Sequence, residues 1–162
     1  MRPPVALSCG EPAGIGPEIA FKAWDKLRAD LPFFWIGDPR HLPQDAVFEE
    51  IKSPADTYAV CQRALPVLTQ RFAALNVPGQ PNAANAQGVI DAIETGVSLV
   101  KSGAAAALCT APIHKQALQD GAGFAYPGHT EFLAALDGGA DVVMMLASEQ
   151  LRVVAATIHI PL

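Results

Sequence analysis

The 162 residues are 51% hydrophobic and 17% charged, the composition of a globular chain that can close one ordinary core and is too apolar to stay disordered. The formal net charge is −5, which gives no footprint for nucleic acid or an anionic membrane surface but leaves room for a local basic site that takes a phosphorylated metabolite. Three widely spaced cysteines, Cys9, Cys61 and Cys109, indicate neither a disulfide framework nor a zinc knuckle. Cys9 and Cys109 read as buried thiols in apolar runs. No apolar stretch reaches transmembrane length and the first residues carry no long apolar signal core, so the chain is expected to be cytoplasmic.

In chain order, residues 5–9 form a short apolar run closed by Gly10, which suits a buried strand. The loop GEPAGIGP follows, and a helix is expected from Pro17, because proline is favoured in a first turn. Ala20, Ala23, Trp24 and Leu27 then recur at helical spacing. Residues 33–36 read as a second strand ended by Gly37-Asp38-Pro39, and residues 47–51 as a third. The stretch 53–81 allows a short helix over 57–64 and a strand over 65–68. The clearest helix is 82–102, with Ala86, Val89, Ile90, Ile93, Val97 and Val100 on one face and Gly103 as its stop. Residues 104–109 read as a buried strand running into TAPIHK, with a short helix over 115–119. PGHTEF opens another helix, which stops before Asp137-Gly138-Gly139. Residues 142–147 and 151–157 read as strands whose link is short enough for a hairpin. Strands alternating with helices indicate an α/β protein with a largely parallel sheet, which the closing hairpin would make mixed.

Polar residues gather where strands end or helices begin: GEPAGIGPE, TAPIHK, PGHTE and THIPL. Ligands of open α/β sheets bind outside the carboxyl ends of the strands, so one shared site is the simplest reading. Gly14-Ile15-Gly16 is neither GxGxxG nor a Walker loop. It is either a tight strand-to-helix turn or a cradle in which backbone N–H groups and the Glu11 carboxylate face a ligand. Lys115 is a point charge for a phosphate or carboxylate, or a solvated first-turn lysine. His129 and Thr130 begin a helix, where N–H groups favour anions; the alternative is that Thr130 merely caps it. His159 ends a strand and suits metal ligation through a neutral imidazole, yet one histidine makes no closed site. His41 falls in a loop and is expected to face solvent.

Together CGEPAGIGPEIA, FFWIGDP, LCTAPIHKQAL, YPGHTEFLA and VVMMLASEQLRVVAATIHIPL resemble the N-terminal half of the 4-hydroxythreonine-4-phosphate dehydrogenase family, from the first strand to the last residue. The resemblance implies an isocitrate/isopropylmalate-dehydrogenase-like α/β fold, here truncated, with a mostly parallel sheet and flanking helices; residues 1–162 would be the first half of the enzyme. It implies oxidation of 4-phosphooxy-L-threonine with NAD or NADP to 2-amino-3-oxo-4-phosphooxybutanoate, which decarboxylates to 3-amino-2-oxopropyl phosphate in pyridoxine 5'-phosphate biosynthesis. It further implies a cytoplasmic homodimer with zinc, magnesium or cobalt between the subunits. Carried onto this chain, His129 and Thr130 bind substrate, His159 is a metal ligand, and Glu11 and Lys115 lie near the site. His114 departs from the asparagine expected in many relatives. Family members are about twice as long, and the other metal-ligating histidines belong to the second half, so this stretch alone is expected to be inactive. Three other readings remain: a paralogous dehydrogenase of threonate or erythronate 4-phosphate, a non-catalytic phosphometabolite-binding domain, and a phosphoryl or acetyl transferase of similar α/β architecture, which would use no nicotinamide.

Overall fold

The computed structural model describes residues 2–154. They divide into two compact units, Met1–Ala125 and Tyr126–Leu162. The first holds β1 (Val5–Ser8), α1 (Gly16–Leu27), β2 (Phe33–Gly37), β3 (Phe48–Ile51), α2 (Thr57–Val60), β4 (Leu65–Thr69), α3 (Ala86–Lys101), β5 (Ala107–Thr110) and α4 (Lys115–Ala122). Its five strands form one parallel sheet in the order β3-β4-β2-β1-β5. Every residue of β2 is buried, which is why its sequence is continuously apolar rather than alternating: helices cover a parallel sheet on both faces.

α1 turns Ala20 and Trp24 inward, and the Trp24 indole N–H donates to the Cys61 carbonyl at 2.7 Å. α3 buries Val89, Ile90, Ala92 and Ile93 and packs on β1, β2 and β5. Two of its glycines permit that approach. A Cβ on Gly88 would stand 2.8 Å from the Phe72 ring, and one on Gly96 would stand 2.6 Å from Leu108. The expected helix over 82–102 begins with a 3-10 turn, Ala83–Asn85, capped by Asn82; regular α-helix starts only at Ala86.

The chain runs from β1 to β2, β3 and β4 on one side, then returns through α3 to place β5 on the other side of β1. The switch point therefore lies between β1 and β5, at the ends that carry GEPAGIGP and TAPIHK.

Three expectations need correction. Cys109 is exposed rather than buried, because β5 is an edge strand and Leu108–Thr110 are only partly covered among the described residues. His41 is 3% exposed rather than solvent-facing. Among the described residues the closing hairpin does not mix the main sheet. β6 (Met145–Ala147) and β7 (Arg152–Val154) form their own two-stranded antiparallel sheet.

The second unit also contains α5 (His129–Leu136), where the Tyr126 and Phe132 rings lie 5.1 Å apart. Its hairpin is apolar on both faces. Leu146 pairs with Val153 and Met145 with Val154, successive residues point oppositely, and all four are exposed. No helix among the described residues is long and apolar enough to cross a membrane.

Candidate functional site

The loops after β1 and β5 are tied together by a hydrogen bond from the Glu11 N–H to the Pro112 carbonyl, 2.8 Å long. Gly10 has φ +67°, and a Cβ there would lie 2.4 Å from the Pro112 oxygen. A Cβ on Gly16 would lie 2.2 Å from the Cys9 oxygen and 3.3 Å from the Ala111 methyl. Gly10 and Gly16 thus serve loop-on-loop packing. Gly14 is under less pressure, its nearest neighbour being the Glu11 carbonyl oxygen at 3.3 Å. The Glu11 side chain is buried, and its Oε1 accepts from the Ala13 N–H at 3.0 Å. It braces its own loop at the switch point.

On the other side of the crevice, His114 is the N-cap of α4: its Nδ1 accepts from the Ala117 N–H at 3.2 Å. An asparagine Oδ1 does the same work at an N-cap, so the departure from the family pattern preserves the helix start. Lys115 is the next residue, exposed in the first turn. Cys9, fully buried beneath the loop, has its thiol pushed up to about 12, chiefly by burial, with lesser help from Glu11 and Asp38. That excludes it as a thiolate nucleophile at neutral pH.

Sequence reasoning missed a second cluster, beyond the ends of β2 and β4. Asp38 is fully buried and accepts hydrogen bonds from the Arg40 N–H, Arg40 Nε and Nη2, and the Phe72 N–H, at 2.7–3.1 Å. Arg71 Nη1 lies 3.4 Å away. Burial opposes its ionisation, but the bonds from Arg40 and Phe72 outweigh that and hold the carboxyl well below the usual range. Arg40 Nη2 also donates to the Phe72 carbonyl at 2.7 Å. Beside it, His41 Nε2 meets the Ala74 carbonyl at 2.9 Å, and burial pushes the imidazole down, toward the neutral form. The clue was present in Gly37-Asp38-Pro39-Arg40: an acid leaving a buried strand two residues before an arginine.

In the second unit, His129 and Thr130 occupy the first turn of α5, both partly buried. The N-cap is Gly128 and no side chain caps the helix, so Thr130 does not act as the cap. The first-turn N–H groups leave this terminus suited to an anion. Glu11 and Lys115 belong to one unit and His129 and Thr130 to the other. His159 lies outside the described residues. Among the described residues no three His, Cys, Asp or Glu side chains are placed to hold a metal ion.

Residues 30–162 match the family model described as pyridoxal phosphate biosynthetic protein PdxA. The chain is 66% identical over 158 residues to a 4-hydroxythreonine-4-phosphate dehydrogenase of Ruegeria sp. (strain TM1040), covering 98% of this chain and 48% of that one. It is 61% identical over 160 residues to the enzyme of the same name from Roseobacter denitrificans, covering 98% and 49%. A crystal structure of 4-hydroxythreonine-4-phosphate dehydrogenase from Klebsiella pneumoniae superimposes with a TM-score of 0.85 at 31% identity, over 98% of this chain and 52% of that one. The chain therefore belongs to the pyridoxal phosphate biosynthetic protein PdxA family and spans about half the length of the curated relatives it matches.

Proposed function

We propose that this sequence is the substrate-binding first half of a 4-hydroxythreonine-4-phosphate dehydrogenase, which oxidises 4-phosphooxy-L-threonine. The observation that carries the reading is the 66% identity to a relative of that name across nearly the whole chain. The product, 2-amino-3-oxo-4-phosphooxybutanoate, then loses carbon dioxide to give 3-amino-2-oxopropyl phosphate.

The chain's own residues have binding and orienting roles. His129 and Thr130, with the uncapped N–H groups of α5, hold an anionic end of the substrate. Lys115, held at the head of α4 by the His114 cap, adds a point charge at the switch point. Glu11 keeps the β1 loop in place through the Ala13 N–H and so acts by positioning. By the family resemblance, the metal role falls on His159 with ligands from the second half of a family-length chain. When bound, NAD or NADP supplies the hydride acceptor, and zinc, magnesium or cobalt polarises the hydroxyl being oxidised. The two-faced apolar hairpin supports a homodimer.

The test is a chimera joining this chain to the C-terminal half of the Ruegeria relative, assayed for reduced nicotinamide with 4-phosphooxy-L-threonine and with threonate 4-phosphate. Turnover of the first substrate, lost in His159→Ala and weakened in KM by Thr130→Val, is expected; the 162-residue chain alone should be inactive. Turnover of threonate 4-phosphate alone would overturn the substrate assignment.

A further inference from the structure

We infer that the first unit carries a second binding site, for a small oxyanion, in a hollow whose recognition group is Arg40. The hollow measures about 290 Å³ and is lined by residues that include Pro12, Gly14, Arg40, Gln44, Asn76 and Pro78. It shares the 10–17 loop with the switch-point crevice but uses no residue of 110–115.

Its walls are rigid before anything binds. Asn76 Nδ2 donates to the Pro12 carbonyl at 2.8 Å and reaches the His41 carbonyl at 3.5 Å, stapling two walls together. The Gly79 N–H donates to the Ala13 carbonyl at 2.7 Å. Pro12, Pro17, Pro43 and Pro78 all face the hollow, and their ring-locked φ angles remove backbone freedom. A preformed wall loses little entropy on binding.

Arg40 supplies the guanidinium among the lining residues. Behind the wall the buried Asp38 carboxylate is shared between Arg40 and Arg71, so Asp38 alone does not neutralise the pair. Arg40 Nε and Nη2 are committed to Asp38 and the Phe72 carbonyl, which fixes the guanidinium plane, and Nη1 takes no part in those bonds. The Arg40 side chain remains 41% exposed. Glu18, also at the wall, is partly offset by Lys22 at 4.0 Å. Nη1, on a guanidinium fixed in place, is a charge-assisted donor for an oxygen of a phosphate or carboxylate. The volume, at the low end of the roughly 300–1,000 Å³ of ligand pockets, suits a phosphate ester of a few carbons and excludes a whole dinucleotide.

The site is independent of the dehydrogenase reading, since none of its residues is assigned to that chemistry. The test is amide-shift mapping by NMR and calorimetry on the chain with inorganic phosphate, glycerol 3-phosphate and chloride at matched ionic strength. Both phosphates should perturb Gly14, Arg40 and Asn76, and chloride should not. Tighter binding of glycerol 3-phosphate identifies a phosphorylated metabolite as the ligand; equal binding identifies free phosphate. Gln44→Glu, which adds a negative charge at an exposed lining residue outside the clamp, should weaken binding about tenfold. Arg40→Lys should weaken it as well, whereas Arg63→Gln, outside the hollow, should leave it unchanged. No response to either phosphate, an equal response to chloride, or binding undiminished in Gln44→Glu would each overturn the proposal. If Arg40→Lys fails to fold, Gln44→Glu still decides.

Discussion

Replacing Asp38 by asparagine should destabilise the protein by about 2–4 kcal/mol at neutral pH, most of it from two backbone contacts. The Phe72 and Arg40 N–H groups each donate to this carboxylate at 3.0 Å, and a hydrogen bond to a charged group contributes about 1.5–3 kcal/mol. Asparagine keeps one acceptor oxygen and turns an N–H₂ toward a ring of donors. The guanidinium pairs add less, because Arg40 and Arg71 are 41% and 61% exposed and regain water when released, so they are discounted to about 1 kcal/mol or below. For a chain of this size the loss corresponds to a Tm lower by roughly 5–15 °C. Urea unfolding followed by tryptophan fluorescence reads it directly, since Trp35, in the strand that leads into Asp38, is fully buried.

The pH dependence has a definite sign. The folded carboxyl titrates below its unfolded value, so its contribution is complete above the unfolded pKa, about 4, and is lost as pH falls toward the folded value. The gap between wild type and Asp38→Asn should therefore be constant from neutrality down to about pH 5 and shrink below it. A variant within about 0.5 kcal/mol of wild type at neutral pH would refute the idea that Asp38 clamps the loops after β2 and β4.

Gly16→Ala should destabilise by about 1–3 kcal/mol or more, because its Cβ meets a backbone oxygen that cannot move aside; Gly79→Ala, with nothing within 4 Å of the new atom, should lose only about 1 kcal/mol to its positive φ. Thermal melts of the two variants compare them. His114→Asn should retain stability and His114→Ala should lose about 1 kcal/mol of helix capping, read by the same melts. In the folded chain a thiol reagent should label Cys109 first, while Cys9 and Cys61, both buried, react only after denaturant is added; rapid labelling of Cys9 would contradict the packing of the β1 loop.

Much of the architecture was legible because it follows from local periodicity. The all-apolar run at Phe33–Gly37 became a central strand, the helical stripe from Ala86 to Val100 became a core helix, and Pro17 opened α1 in its first turn. The motif positions were legible for the same reason: GEPAGIGP, TAPIHK and PGHTE fall where a strand stops or a helix starts. Long-range pairing was not legible. Cys109 sits in a run as apolar as any core strand, and only the strand order shows that β5 is an edge among the described residues. His41 looked like a loop histidine until the fold brought Ala74 to its Nε2 and the Phe72 ring into a T-shaped contact with it. The pairing of Asp38 with Arg71 and the Phe72 N–H joins residues more than thirty apart, and no local spacing encodes such a contact. By itself the sequence determined the elements, the family and the residues from which a site would be drawn. The tertiary structure alone decided which glycines exist for packing, which carboxylates turn inward, and where an arginine is held by Nε and Nη2, because burial and hydrogen-bond partnership depend on which strands become neighbours.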